Sequence, residues 1–306
     1  MYTVNLHYDV EGWAYYHRCK ALAKYAPQDF KVNVISGQEF RPTECDLALQ
    51  LCFYRTEKTR KEYLAKGFKP LLVAGLNIGW QDGTKKYANL VNKHADHVIV
   101  NSRLCYEGIQ KHIRGSKKFT QISNGVDTEL FRDIGEQEKI YVLWTGSEFW
   151  RNLKRYDSIL IPLKKKLELE GIKCDFRLVD VHGKDRITQD QMVKWYQKGA
   201  VYVCASKSEG TPNPALEAAA CGCVIVSTPV GNMPELIESG VNGYLVRPDV
   251  TAFYVRILDA LDRRKFFHQE MKKRIKSWSW ERRAFAYYSL FRRLIERRLG
   301  KISFNG

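Results

Sequence analysis

The sequence predicts an α/β protein of two doubly wound, Rossmann-like parallel-sheet domains facing each other across a cleft. Three observations predict it. Short apolar runs alternate with amphipathic stretches of helical period, the rhythm of a parallel sheet covered by helices. That rhythm breaks at a polar stretch, Arg132 to Lys139, and then restarts. The 306 residues also suffice for two domains of roughly 100–200 residues each.

In the first half, strands are expected at Val4–Leu6, Val32–Ile35, Leu47–Leu51, Leu71–Val73 and Val98–Val100, with helices at Ala14–Tyr25 and Lys58–Lys66. In the second half, Ile140–Trp144, Phe176–Val181, Val201–Cys204 and Val224–Ser227 read as strands. Arg155–Leu169, Gln189–Lys198 and Pro214–Ala220 read as helices. From Ala252 onward the pattern is helical, and Trp278, Trp280, Phe285, Tyr288, Phe291 and Leu294 recur at near-helical spacing. The expected division is residues 1–132, residues 133–280 and a C-terminal helix, 281–306.

A hydrophobic share of 44% is ordinary for a folded domain and argues against disorder. The formal charge of +16 is not ordinary. It favours an anionic partner: nucleic acid, an acidic membrane surface or a phosphorylated substrate. From Thr251 to the end there are fifteen Lys/Arg against five Asp/Glu, so the tail holds most of the excess. Eight cysteines show no repeated spacing, and Cys221 and Cys223 form a lone C-x-C without a matching pair. Reduced, buried thiols in a cytoplasmic protein are expected, and no zinc site. The segment Met1 to Tyr8 alternates like a strand rather than like a signal peptide. No apolar run approaches the roughly 20 residues of a membrane span, so any membrane contact is expected to be peripheral.

The most informative segment runs from Val201 to Pro248. A strand, Val201 to Ala205, leads into Ser206-Lys207-Ser208-Glu209-Gly210-Thr211-Pro212-Asn213, and a helix opens at Pro214. Unpaired backbone N–H groups and the positive end of the helix dipole converge at such a junction, which suits an anion. Gly210 permits close backbone approach. Glu209 and Glu217 bracket the loop as E-x7-E. Ionised carboxylates only accept hydrogen bonds, so each can receive a pair of vicinal hydroxyls. Taken alone, the spacing is nearly worthless and both residues read as ordinary surface carboxylates.

Its context is more specific. The run S-x-x-E-G-T-P-N-P-A-L-E-A-A-A-C-G, followed by Val224 to Ile237 and Gly243 to Val246, resembles glycosyltransferase family 4, retaining enzymes of the GT-B fold. Asn124-Gly125-Val126-Asp127 with Phe131, and Trp195-Tyr196, support the resemblance. It is strong over the C-terminal half and loose over the N-terminal half. It implies an acceptor-side first domain, a nucleotide-sugar-binding second domain and a last helix packed back on the first. It also implies that Glu209 approaches the transferred sugar, that Glu217 holds the ribose hydroxyls, and that Gly210, Thr211, Pro212 and Asn213 hold sugar and phosphates. Gly12 resembles the first-loop glycine facing the diphosphate.

The chain departs from the family pattern in three places. Ser147 stands where an arginine is usual, so the leaving diphosphate's positive charge is assigned to Arg151 and Lys154, with Arg155 in place of a glycine. A solvated basic turn is the bland alternative for this cluster. The usual histidine after a first-domain strand is missing from Leu72 to Gly79. Its task falls to another group, Asn77, while His94, His97 and His112 read as helix or surface residues. Finally, the chain passes through His182 to Asp185 directly to the next helix, leaving out part of the usual nucleobase region. UDP is assumed from family frequency.

No D-x-D occurs, so no metal or other cofactor is expected. The resemblance implies a retaining, front-face displacement. The acceptor is expected to be a membrane-associated glycan or glycolipid, with hydroxymethylated bases of DNA as the alternative. A non-catalytic nucleotide- or nucleic-acid-binding module is the rival of another class. Neither G-x-x-x-x-G-K-[ST] nor G-x-G-x-x-G after a strand is present.

Overall fold

The computed structural model describes residues 1–38, 41–77, 84–111, 119–135, 139–179 and 187–301. The chain divides into two compact units: Met1–Gly125 with Trp280–Gly306, and Val126–Ser279.

Unit 1 carries a six-stranded sheet in the order β2-β1-β3-β4-β5-β6. Its strands are β1 (Tyr2–Tyr8), β2 (Phe30–Ser36), β3 (Leu47–Gln50), β4 (Leu71–Leu76), β5 (His97–Val100) and β6 (Phe119–Gln121). All neighbours are parallel. Val4, Leu6, Leu47, Leu49, Val73 and Val98 are fully buried, because helices cover both faces of such a sheet. The helices α1 (Ala14–Lys24), α2 (Thr56–Ala65), α3 (Thr84–His94) and α4 (Arg103–Gln110) supply that cover. His97 is neither helical nor on the surface; it is buried in β5 with its Nε2 2.9 Å from Thr120 Oγ1. His112 lies outside the described residues.

Unit 2 carries a five-stranded parallel sheet in the order β11-β10-β9-β7-β8. The strands are β7 (Tyr141–Ser147), β8 (Cys174–Val179), β9 (Gly199–Cys204), β10 (Val224–Ser227) and β11 (Gly243–Leu245). The helices are α5 (Ile161–Leu169), α6 (Gln189–Tyr196), α7 (Asn213–Ala220), α8 (Met233–Leu236), α9 (Val250–Asp262) and α10 (Arg264–Ile275). The segment His182 to Asp185 lies outside the described residues, as do Val181 and 136–138 of the expected boundary stretch.

The boundary expected between residues 132 and 133 falls earlier, between Gly125 and Val126. Val126 N donates to Trp278 O at 2.9 Å, and Val126 and Phe131 are buried in the core of unit 2. A polar stretch marks where apolar strands pause, and that need not be where the chain changes unit.

The last helix, α11 (Trp280–Arg298), belongs to unit 1. Trp280, Ala284, Tyr287, Tyr288, Phe291 and Ile295 form its buried stripe, whereas Phe285 is exposed. Tyr288 Oη donates to Leu22 O at 2.8 Å, and Arg292 pairs with Asp29 at 2.7 Å. Trp278, at the end of unit 2, is core as well. Among the described residues no helix is long and apolar enough to cross a membrane.

Candidate functional site

In the second sheet β7 is followed by a neighbour on one side, β8, and then by β9 on the other. The loops leaving the carboxyl ends of β7 and β9 therefore part at a topological switch point, where open α/β sheets bind ligands. Both sequence-predicted clusters of unit 2 fall there.

After β7, Glu148–Trp150 forms a 3-10 turn and Tyr156–Leu160 a π-helical turn that runs into α5. Between them Arg155 adopts φ 54° and ψ 39°, the single left-handed non-glycine conformation among the described residues. Such a conformation costs an ordinary side chain about 1–2 kcal/mol. The Arg155 guanidinium offsets it by donating from Nη1 to Ala205 O at 3.0 Å and Ser206 O at 2.7 Å. The residue standing at the family's glycine position thus keeps a glycine-like backbone and clamps the loop after β9. Lys207 ties the same two loops, through its N–H to Leu153 O at 2.8 Å and its ammonium to Asn152 Oδ1 at 2.6 Å.

Within this clamp Lys154 and Glu209 form an ion pair with most of each side chain buried. Ser206 Oγ also donates to Glu209 Oε1, at 2.7 Å. Burial alone would push the Lys154 ammonium down, but the Glu209 carboxylate outweighs it and holds Lys154 above the usual lysine range. Arg151 faces elsewhere. Its guanidinium takes Asp157 through two bonds of 2.8 and 2.6 Å and Glu148 through one of 3.1 Å. Of the two cations expected near the diphosphate, Lys154 is the one joined to Glu209.

Gly210, Thr211 and Pro212 are buried in the loop, and Asn213 begins α7. The backbone of Gly231, φ 53°, lies against this loop; a Cβ there would sit 2.5 Å from Gly210 O. Asn232 Nδ2 donates to Thr211 Oγ1 at 3.2 Å. Further along α7, Glu217 is half-buried and accepts from Tyr196 Oη at 2.9 Å. Burial pushes the Glu217 carboxyl up to about 7, against the opposing effect of the Tyr196 bond. Burial and the nearby Glu217 hold the Tyr196 phenol well above its usual range, so it remains a donor.

The structure thus gathers Lys154, Glu209, Gly210, Thr211, Pro212, Asn213 and Glu217 on adjoining elements of unit 2. Gly12 and Asn77 lie in unit 1. Gly12, φ 75°, turns the chain between β1 and α1. Asn77 follows β4 and accepts a hydrogen bond from Asn101 Nδ2. Sequence reasoning missed the parts played by Arg155, Ser206, Tyr196 and Gly231. Tyr196 and Gly231 stood inside the family-like motifs, but nothing in the sequence says which side chain Tyr196 holds.

Two parallel-sheet Rossmann-like units, with a glycine-bearing strand-loop-helix at the second switch point, define an α/β protein of the GT-B fold. Anabaena Alr3699/HepE in complex with UDP superposes with a TM-score of 0.71 at 14% identity, covering 95% of this chain and 99% of that one. Sucrose-phosphate synthase of Thermosynechococcus elongatus gives 0.70 at 15% identity, covering 97% and 100%.

Residues 159–263 match the family model described as Glycosyl transferases group 1. An uncharacterized glycosyltransferase of Methanocaldococcus jannaschii is 22% identical over 244 residues, 69% of this chain and 62% of that one. The phosphatidylinositol N-acetylglucosaminyltransferase gpi3 subunit of Schizosaccharomyces pombe is 28% identical over 226 residues, 64% of this chain and 48% of that one. The chain spans less than two thirds of the length of these curated relatives.

Proposed function

We propose that the chain is a retaining, metal-independent glycosyltransferase. It moves a sugar from a nucleotide-sugar, with UDP as the nucleotide, to a hydroxyl of a membrane-associated glycan or glycolipid. The observation that carries this reading is the Lys154–Glu209 pair, seated on the two loops of the switch point beside the glycine loop that opens α7. The names of similar proteins support it: UDP is bound by one structural neighbour, and phosphatidylinositol stands in the name of one relative.

In this reading Glu209 accepts hydrogen bonds from the transferred sugar and Glu217 from the ribose. Lys154 and the α7 dipole meet the negative charge that grows on the departing diphosphate. The bond from the anomeric carbon to the phosphate oxygen breaks while the acceptor oxygen bonds to that carbon from the same face. The departing phosphate oxygen takes the acceptor's proton. Gly210, Thr211, Pro212 and Asn213 line the donor, and Arg151 adds charge only after releasing Asp157 or Glu148. Gly12 contacts the diphosphate, and Asn77 acts in place of the missing histidine.

The test is a donor-hydrolysis screen across UDP-, GDP- and ADP-sugars, with and without chelator. Release of nucleotide from a UDP-sugar that persists in chelator is expected. Activity lost in chelator and restored by manganese or magnesium would overturn metal independence. Nucleotide binding without turnover on any donor or acceptor would favour the non-catalytic module. For the acceptor, co-sedimentation with anionic vesicles beside a DNA shift assay at equal ionic strength separates membrane from nucleic acid.

A further inference from the structure

We propose that Ser206 is a positioning residue that turns the Glu209 carboxylate, so that Oε1 is held by the protein and Oε2 is presented to the transferred sugar. This inference rests on the glycosyltransferase reading, which gives Glu209 the sugar, and adds what aims Glu209 at it. Both donors that the protein offers this carboxylate meet on one oxygen. Lys154 Nζ donates to Oε1, and so does Ser206 Oγ, at 2.7 Å. Oε2 takes no donor among the described residues, and the Glu209 side chain keeps 12% of its surface exposed. Each carboxylate oxygen can accept hydrogen bonds, so the one without a protein donor is open to a ligand hydroxyl.

The two donors act differently. Lys154 is a point charge on a long, flexible stem, which attracts a carboxylate without fixing its rotation. Ser206 is 2% exposed, and its short side chain takes its direction from its backbone. That backbone is pinned from two other strand ends. Ser206 O accepts from Arg155 Nη1 at 2.7 Å and from Thr228 Oγ1 at 2.8 Å, which occupies both lone pairs. Arg155 comes from the turn after β7 and also holds Ala205 O, at 3.0 Å. Thr228, itself 2% exposed, stands just after β10, and its N–H donates to Cys204 O at 2.8 Å.

The Ser206 hydroxyl is engaged on its accepting side as well. The Cys204 thiol donates to Ser206 Oγ at 3.9 Å. Burial and the nearby Glu209 carboxylate hold that thiol above its usual range, so it keeps the proton it donates. With the thiol on one side, the single hydroxyl proton of Ser206 goes to Glu209. Charge therefore draws Glu209 toward Lys154, and hydrogen bonds from the ends of β7, β9 and β10 set its rotation. A misplacement of about 1 Å at a reacting centre costs on the order of 10²-fold in rate. The aim of this carboxylate is thus expected to appear in turnover, whereas free nucleotide, which lacks the sugar, does not meet Oε2.

The experiment is a double-mutant cycle between Ser206→Ala and Glu209→Ala in the full chain. It is read by nucleotide release from the best donor among UDP-, GDP- and ADP-glucose, and by calorimetry with that donor and its free nucleotide. Ser206→Ala should slow release about tenfold, the loss expected for a hydrogen bond to a charged group, with affinity for the free nucleotide unchanged. In the Glu209→Ala chain the same change should cost less than about twofold, because Ser206 acts through Glu209. Where Glu209→Ala turns over too slowly, affinity for the donor relative to its free nucleotide completes the cycle. Thr228→Val should also slow release, and Thr228→Ser, which keeps the hydroxyl, should recover most of the loss. Full activity in Ser206→Ala, or an equal loss with and without Glu209, would overturn the proposal. Loss of nucleotide affinity in step with turnover would overturn it too, as the mark of a general disturbance of the loop. If Ser206→Ala does not fold, Thr228→Val on both backgrounds decides the same question. A wild-type chain that neither binds nucleotide nor releases it from any of the donors sinks the glycosyltransferase reading and this inference with it. An active wild type with an additive cycle sinks this inference alone.

Discussion

The carboxyl ends of the two sheets share a topology and differ in chemistry. In unit 2 the loops after β7 and β9 are joined by charged groups: Lys154 to Glu209, Arg155 to two carbonyls, and Lys207 to Asn152. In unit 1, among the described residues, the loop after β4 carries Asn77, which accepts from Asn101 just after β5. Arg18, on α1 of the same unit, is buried. It has no carboxylate partner among the described residues and takes instead the Tyr287 hydroxyl and, at 5.3 Å, the Tyr287 ring. The same parallel scaffold thus joins its loops through charged groups in unit 2 and, at Asn77, through neutral amides in unit 1.

The largest expected effect tests that contrast directly. Lys154→Ala should lower transfer on the order of 10²–10³-fold, the usual loss when one donor to a developing oxyanion is removed. Glu209→Ala should also act mainly on turnover, with UDP affinity much less changed. Asn77→Ala should cost clearly less than Lys154→Ala in single-turnover assays. Equal losses at Asn77 and Lys154 would erase the distinction between the two ends.

Next in size is Glu217→Ala, which should weaken UDP binding by about 1.5–3 kcal/mol, the range for hydrogen bonds to a charged group. Calorimetry reads it, and unchanged affinity would detach Glu217 from the ribose.

The pH dependence sharpens the same assignment. Because the folded Glu217 carboxyl is raised to about 7, it holds a proton that the unfolded chain releases over the interval from its ordinary 4.5 upward. Its contribution to stability is thus full below that interval and is lost as pH rises through about 7. UDP affinity should run the other way and strengthen as pH rises through about 7, because the ionised form accepts both hydroxyls. Tyr196→Phe removes the bond that favours the ionised form and should move the midpoint upward. A flat affinity profile from pH 5.5 to 8.5 in the wild type would contradict this account.

The smallest effects concern the turn. Arg155→Ala keeps the left-handed strain and loses the clamp, so it should be less stable than Arg155→Gly by about 1 kcal/mol, read from denaturant midpoints. Arg151→Ala removes exposed ion pairs, generally worth about 0–1 kcal/mol, and should alter transfer far less than Lys154→Ala. A large kinetic loss at Arg151 would show that it leaves Asp157 and Glu148 when the donor binds.

The parallel-sheet architecture was legible from the sequence because the expected central strands, such as Val98–Val100, Val201–Cys204 and Val224–Ser227, are buried apolar runs without polar alternation, whereas Val32–Ile35 and the described part of Phe176–Val181, on edge strands, are only half-buried. The glycine loop and both glutamates were legible as well, since they are local in the chain: a strand end, a turn and a helix start within one short segment. The exchange of partners was not local. Glu209 finds Lys154, and Arg155 finds Ala205 and Ser206, across separations of 50 or more positions. Glu217 finds Tyr196 on the helix before β9. Arg151 and Lys154 look equivalent as neighbouring cations. Only the turn that contains them, with one residue in a left-handed conformation, points one toward Glu209 and the other toward Asp157. Composition and periodicity set which segments become strands and helices, because those choices depend on neighbours in the chain. Which charges meet depends on strand order and loop curvature, and the folded molecule decides those only when its sheet assembles.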